Sequence, residues 1–196
     1  MSIDVSVGNS ASVLVIRFTN PEERNPLSMA VVDNLHQVID NLEHMSNVNT
    51  VVFTGTDNVF ASGANLREIA ALNAETAMAF ANRGQSLMNK IAELKVTTVA
   101  AINGYCFGGA LDLALACDRR IASPNASFAH PGAGLGIITG WGGTQRLPRL
   151  IGRANSLEMF FTAQAVNADR ALKTGLVDLV ANDIFNNEYL ILNEAN

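Results

Sequence analysis

Two segments of the chain carry residue types that suit one kind of chemistry. "FASGANLREI" follows the apolar stretch "VVFTG", and "NGYCFGGALDL" follows "VTTVAAI". Each passes from a strand-like run through glycine into a helical pattern. Such a turn presents backbone N–H groups that have no acceptor within the helix, at the positive end of its dipole. Two turns of this kind converging on one point make an oxyanion hole. Glycine and alanine suit it because they let a carbonyl oxygen approach the backbone. Taken singly, either turn also fits an ordinary strand-to-helix connection. Asp112 lies one helical turn beyond the second glycine run, inside the otherwise apolar "ALDLALA". A carboxylate near a helix N-terminus is stabilised by the dipole, yet an uncommitted charge in such surroundings is costly, which favours a functional role.

Other chemistries lack their residues. "GYCFGG" is not a GxGxxG dinucleotide fingerprint, no phosphate-loop lysine follows it, and no Gly-x-Ser-x-Gly elbow occurs in the chain. His36, His44 and His130 are scattered rather than clustered, so no metal site is expected. His36 and His44 fall at polar positions of a helical pattern and are expected to face solvent.

The elements that must position these turns are legible in outline. The 196 residues are 48% hydrophobic and 16% charged, the composition of one globular domain. A net charge of −5 gives no general attraction to nucleic acid or anionic lipid. Cys106 and Cys117 read as buried free thiols. The N-terminal residues do not read as a signal peptide and no apolar run reaches membrane length, so a cytoplasmic protein is expected. "VSVGNSASVLVIRF" reads as two strands about a Gly-Asn-Ser turn. Ser28 caps a helix with Val31, Leu35, Val38, Leu42 and Met45 on one face. "NTVVFTG", "VTTVAAING" and the weaker "DRRIAS" are three short strands separated by helices, hence an α/β fold with parallel pairing. Helices are expected from Asn73 to Lys95, with Phe80, Leu87, Met88, Ile91 and Leu94 inward, after Gly108, and from Arg153 to Thr162. A short one is capped by Asn167 and ends near Gly175.

In order and spacing, "PEERNPLS", "VVFTGTDNVFASGANLREI", "VAAINGYCFGGALDLALACDRRIAS", "GLGIITGWGGTQRLPRLIGRA" and "ADRALKTGLVD" resemble the crotonase, or enoyl-CoA hydratase/isomerase, superfamily over roughly Val13 to Val180. The resemblance implies a crotonase-like (ClpP/crotonase) fold of stacked ββα units and an acyl-CoA substrate. It implies no cofactor beyond the coenzyme A of that substrate. It places the thioester oxygen between the N–H groups of Ala64 and Gly109, and Asp112 at the first of two family glutamates. The second glutamate's place is taken by Gly132, and His130 stands where many relatives have glutamine. Ordinary hydration by paired glutamates is therefore not expected. His130 is a candidate second acid or base, although it lies two residues away from that position. Arg24 and Arg67 match the family's CoA-binding cations, and Ala61 and Ser62 its adenine contacts. Asn65 replaces the usual aspartate, and Tyr105 and Trp141 are assigned to pocket or packing.

The resemblance also predicts a core domain over residues 1–182 and, over 183–196, the start of a helical tail that is shortened or missing. It further predicts a homotrimer or a hexamer of two trimers, with Leu157, Met159, Phe160 and Phe161 spread too widely to face one core. Two readings remain. One is an enolate-forming acyl-CoA enzyme. The other is a non-catalytic acyl-CoA binding or scaffolding protein.

Overall fold

The N-terminal strand pair is an antiparallel hairpin of β1 (Ile3–Val7) and β2 (Val13–Phe18), with Ile3 opposite Phe18. The fold is that of a computed structural model describing residues 2–8, 10–42 and 44–185. After β2 come β3 (Pro26–Leu27), α1 (Met29–Leu42), β4 (Thr50–Thr54), β5 (Val59–Ala61), β6 (Gly63–Ala64), α2 (Leu66–Ala70) and α3 (Thr76–Ala92). The second half contains β7 (Thr97–Ile102), β8 (Tyr105–Phe107), α4 (Gly109–Ala116), β9 (Arg119–Ala122), β10 (Ser127–Ala129), α5 (Gly143–Ile151), α6 (Arg153–Thr162), β11 (Val166–Asn167), α7 (Ala168–Thr174) and β12 (Leu179–Val180).

A ββ unit followed by a helix recurs. β4, β7 and β9 pair in parallel in a six-stranded sheet of order β1-β2-β4-β7-β9-β12. Their successors β5, β8 and β10 pair in parallel in a four-stranded sheet of order β11-β10-β8-β5. Each repeat thus stacks on the previous one through two strand pairings at once, as the three apolar strands led us to expect. Side-chain amides join the repeats at their turns. Asn103 accepts from the Gly55 N–H at 3.0 Å and donates to the Asp57 and Val59 carbonyls. At the neighbouring Gly104 an added Cβ would lie 1.6 Å from the Asn58 carbonyl oxygen, so only glycine permits this close approach.

The helices cover one face of the large sheet. Phe18, Phe53, Phe60 and Phe128 are fully buried there, each worth roughly 1.5–3 kcal/mol against exposure. On the opposite face Val13, Val15, Val52, Val99 and Ile121 form a smaller cluster with Ile184.

In α1, Val31, Leu35 and Leu42 are buried as expected, and the Ser28 hydroxyl accepts from the Val31 N–H. Met45 lies beyond the helix end and is exposed. His36 corrects its expectation: it is buried, with Nε2 3.2 Å from the Arg83 carbonyl of α3. The cause is tertiary. α3 packs across α1, tied by Arg83–Asp33 and Lys90–Asp40 ion pairs, and covers a position that a lone helix would leave wet. α3 itself begins at Thr76, with the Asn73 side chain accepting from the Glu75 and Thr76 N–H groups. α6 and α7 occupy the expected residues, and Gly175 takes the left-handed position after α7 at φ +77°. The C-terminal tail expectation falls mostly on residues 186–196, outside the described residues.

Candidate active site

The two glycine turns meet back to back. Gly63 has φ +95°, and a Cβ there would lie 2.9 Å from the Gly109 nitrogen. A Cβ on Gly109 would come within 3.3 Å of the Ala64 nitrogen. Gly108, at φ +54°, turns the chain into α4, so the N–H of Gly109 opens the helix and has no acceptor within it. Asn65 retains the turn's hydrogen bonding, since its Oδ1 accepts from the Arg67 N–H at 2.9 Å and caps α2.

All eight residues of α4 are buried. Asp112 therefore projects into a cavity of about 230 Å3 that is also lined by Ala64, Gly109, His130, Gly132 and Trp141. The side chain is 0% exposed. Thr139 donates its hydroxyl to Oδ2. Burial pushes the carboxyl from its ordinary 3.8 to about 7. The Thr139 hydroxyl, the Trp141 and Gly143 backbone amides and the Arg146 charge pull in the opposite direction and are outweighed.

His130 is 3% exposed, with Nε2 3.7 Å from Asp112 Oδ1. Burial lowers its imidazole from 6.5 to about 4, so near neutrality it carries no charge and the contact is not an ion pair. Among the described residues neither of its ring nitrogens has a hydrogen-bond partner, nor has Asp112 Oδ1: the Trp141 and Gly143 amides lie near enough to act on the carboxyl but form no well-aligned hydrogen bond to that oxygen. The Phe160 ring packs beside it at 5.1 Å.

The sequence left α5 unassigned. Pro148 lies inside it, a residue that argues against a helix interior. Its signal was Leu147 and Ile151 at helical spacing between Gly142 and Gly152. Its first residue, Gly143, lies so close to Asp112 that a Cβ would sit 2.0 Å from Oδ1. Trp141 packs between the two glycine-bearing helices: a Cβ would meet its ring at 2.2 Å from Gly84 and at 2.6 Å from Gly109. It both lines the cavity and packs against Phe80, the ring centroids 5.6 Å apart and the planes tilted by 36°. Tyr105 is exposed, edge-on to Phe107, and does not line the cavity.

Of the residues singled out from sequence, Ser62, Ala64, Gly109, Asp112 and His130 line one cavity. Arg24, Arg67 and Ala61 do not. Arg24 and Arg67 are exposed beside the first glycine turn, and neither forms a salt bridge among the described residues. Ala61 is fully buried in β5, and the Ser62 N–H is committed to the Arg24 carbonyl at 2.9 Å, which removes it as a donor to a ligand.

Stacked ββα repeats that direct two glycine turns and a buried carboxyl into one cavity define a crotonase-like fold. The solved enoyl-CoA hydratase from Bacillus anthracis superposes with a TM-score of 0.90 at 32% identity, over 98% of this chain and 75% of that one. The chain belongs to the enoyl-CoA hydratase/isomerase family of enzymes, whose pattern matches residues 8–192. It is 36% identical over 178 residues to the short-chain-enoyl-CoA hydratase of Clostridium acetobutylicum, spanning 90% of this chain and 68% of that protein. It is also 36% identical to the crotonyl-CoA hydratase of Syntrophomonas wolfei, spanning 85% and 64% respectively.

Proposed function

We propose that this protein acts on acyl-CoA thioesters through an enolate, with Asp112 as the proton carrier. The observation that carries the reading is a wholly buried carboxyl, raised to about 7, in the cavity where the two glycine turns meet. The Ala64 and Gly109 N–H groups receive the thioester oxygen. Their hydrogen bonds strengthen as it gains enolate charge, and one such donor is worth about 3–4 kcal/mol of barrier. Asp112 removes the proton alpha to the carbonyl. A base that is half ionised near neutral pH is well matched to that task. Leu66, Ile69, Leu72 and Ile138 give the acyl chain apolar walls. Arg24 and Arg67 supply charge for the CoA phosphates, and the CoA arrives as part of the substrate, with no further cofactor. Gly132 cannot donate a proton, so a paired-carboxylate route is closed. Reactions that need one proton carrier, a double-bond shift above all, fit this arrangement.

The test is deuterium exchange at the alpha carbon of butyryl-CoA. Exchange above buffer is expected, rising as pH passes up through about 7 with ionisation of Asp112, and falling at least about 100-fold in Asp112→Asn. Tight binding without exchange would instead establish a non-catalytic acyl-CoA binder. We also propose a homotrimeric or hexameric assembly.

A further inference from the structure

We propose that His130 is a second proton-transfer group of this site, forming with Asp112 a carboxyl–imidazole pair that restores two-group chemistry and lets the enzyme add water to an α,β-unsaturated acyl-CoA. The inference rests on the acyl-CoA reading above. It starts from three buried polar atoms that the fold leaves without partners: Asp112 Oδ1 and both ring nitrogens of His130. A buried polar atom without a partner costs about 1–3 kcal/mol, and here three such atoms line one cavity. The 3.7 Å between Oδ1 and Nε2 is too long for a direct hydrogen bond, so neither atom satisfies the other; both are closed to solvent in this structure, and a small rotation of the imidazole towards the cavity would let them share a third polar group. A water molecule poised for attack is such a group.

One charged neighbour acts on the pair, and it favours the ionised carboxylate without outweighing burial. Arg146 of α5 acts on Asp112 but is bonded to the Asn89 side chain at 2.8 Å, and Cys106 of β8 is a buried neutral thiol. α6 presents Phe160 to the imidazole, and α3 presents Phe80 to the cavity. The Arg83 and Lys90 charges on α3 are paired with α1 instead. Between about pH 4 and pH 7 the pair thus keeps its titrating proton on the carboxyl, beside a neutral imidazole, and near neutrality half of the molecules retain it.

The step balances without a further reactant. The Asp112 carboxyl gives its proton to the alpha carbon while the water oxygen bonds to the beta carbon. The water's second proton goes to His130 Nε2. The carboxylate left behind, 3.7 Å away, raises the basicity of the imidazole at the moment it is needed. Passage of that proton from His130 to Asp112 then returns the starting state.

The experiment compares crotonyl-CoA hydration with butyryl-CoA alpha exchange in wild type and in His130→Gln, which keeps a polar side chain but does not titrate. Wild type is expected to hydrate, with a rate that falls as pH rises through about 7, the opposite limb to exchange. In His130→Gln the ratio of hydration to exchange is expected to fall at least about 100-fold. Equal loss of both activities would mark a structural role and overturn the proposal. So would wild type that exchanges without hydrating, or hydration that rises with exchange through about pH 7. Absence of exchange in wild type would instead sink the enolate reading itself. His130→Asn, checked for native thermal unfolding, repeats the comparison if the glutamine variant folds poorly.

Discussion

Asp112 and His130 titrate in opposite senses, and their effects on stability oppose each other. The Asp112 carboxyl is raised from 3.8 to about 7, so between those values the folded protein holds a proton that the unfolded chain lacks, and stability falls as pH rises. His130 is lowered from 6.5 to about 4, so in that window the unfolded chain holds the extra proton, and stability rises with pH. Each slope is about 1.4 kcal/mol per pH unit, and the two cancel over most of the shared range. Removing either partner exposes the other. Relative to wild type, His130→Gln should lose stability as pH rises from about 4 to 6.5, and Asp112→Asn should lose it as pH falls through that range. Urea unfolding of the three proteins at several pH values reads both slopes, and parallel profiles would contradict the burial argument. Gly132 gives a second prediction at this scale. A Cβ there would lie 2.6 Å from the Ile137 carbonyl oxygen, so Gly132→Glu cannot enter without moving the loop. It should cost about 1–3 kcal/mol by urea unfolding and should not speed crotonyl-CoA hydration.

The site's geometry depends on glycines in elements that carry no chemistry. α3 approaches α4 through Trp141, whose indole fills the space where Gly84 has no side chain. Gly84→Ala would place a methyl 2.2 Å from the indole nitrogen, and the ring has Gly109 and Phe80 on its other sides. The expected result is a loss of about 1–3 kcal/mol together with a fall in exchange activity, because a displaced indole disturbs the first residue of α4. Unfolding and exchange measured on the same preparation test it, and an unchanged exchange rate would separate Trp141 from the site. Other staples act alike. The buried Asn25 side chain donates to the carbonyls of Val59 and Phe60 and accepts from Asn20, fixing the strand that leads into the first turn.

At the scale of the whole molecule, α6 buries Ser156 and Met159 but leaves Phe161 77% and Leu157 39% exposed. The apolar arc that looked too wide for one core is therefore only partly used within the chain. Covering it against neighbouring copies accounts for the proposed trimer or hexamer. Light scattering at low micromolar concentration is expected to give three or six times the monomer mass, with Phe161→Glu shifting it downwards. A stable wild-type monomer would contradict this.

The strands β1, β2, β4, β7 and β9, the helices α1, α3, α4, α6 and α7, and the two glycine turns are legible because each rests on local information: an apolar run, a cap, a left-handed glycine. Gly175 ends α7 and Asn167 begins it for reasons contained within a few residues. Asp112 stands out because one carboxylate interrupts an apolar helix. What tertiary structure alone decided is how closely the groups of the cavity approach one another and in what protonation state they stand. Pro148 concealed α5, and with it the amide of Gly143 beside Asp112. His36 is buried only because α3 crosses α1. His130 and Asp112, far apart in the chain, come within 3.7 Å because parallel stacking of β8 and β10 places Ala129 beside Phe107, and their altered acidities arise from burial that no spacing encodes.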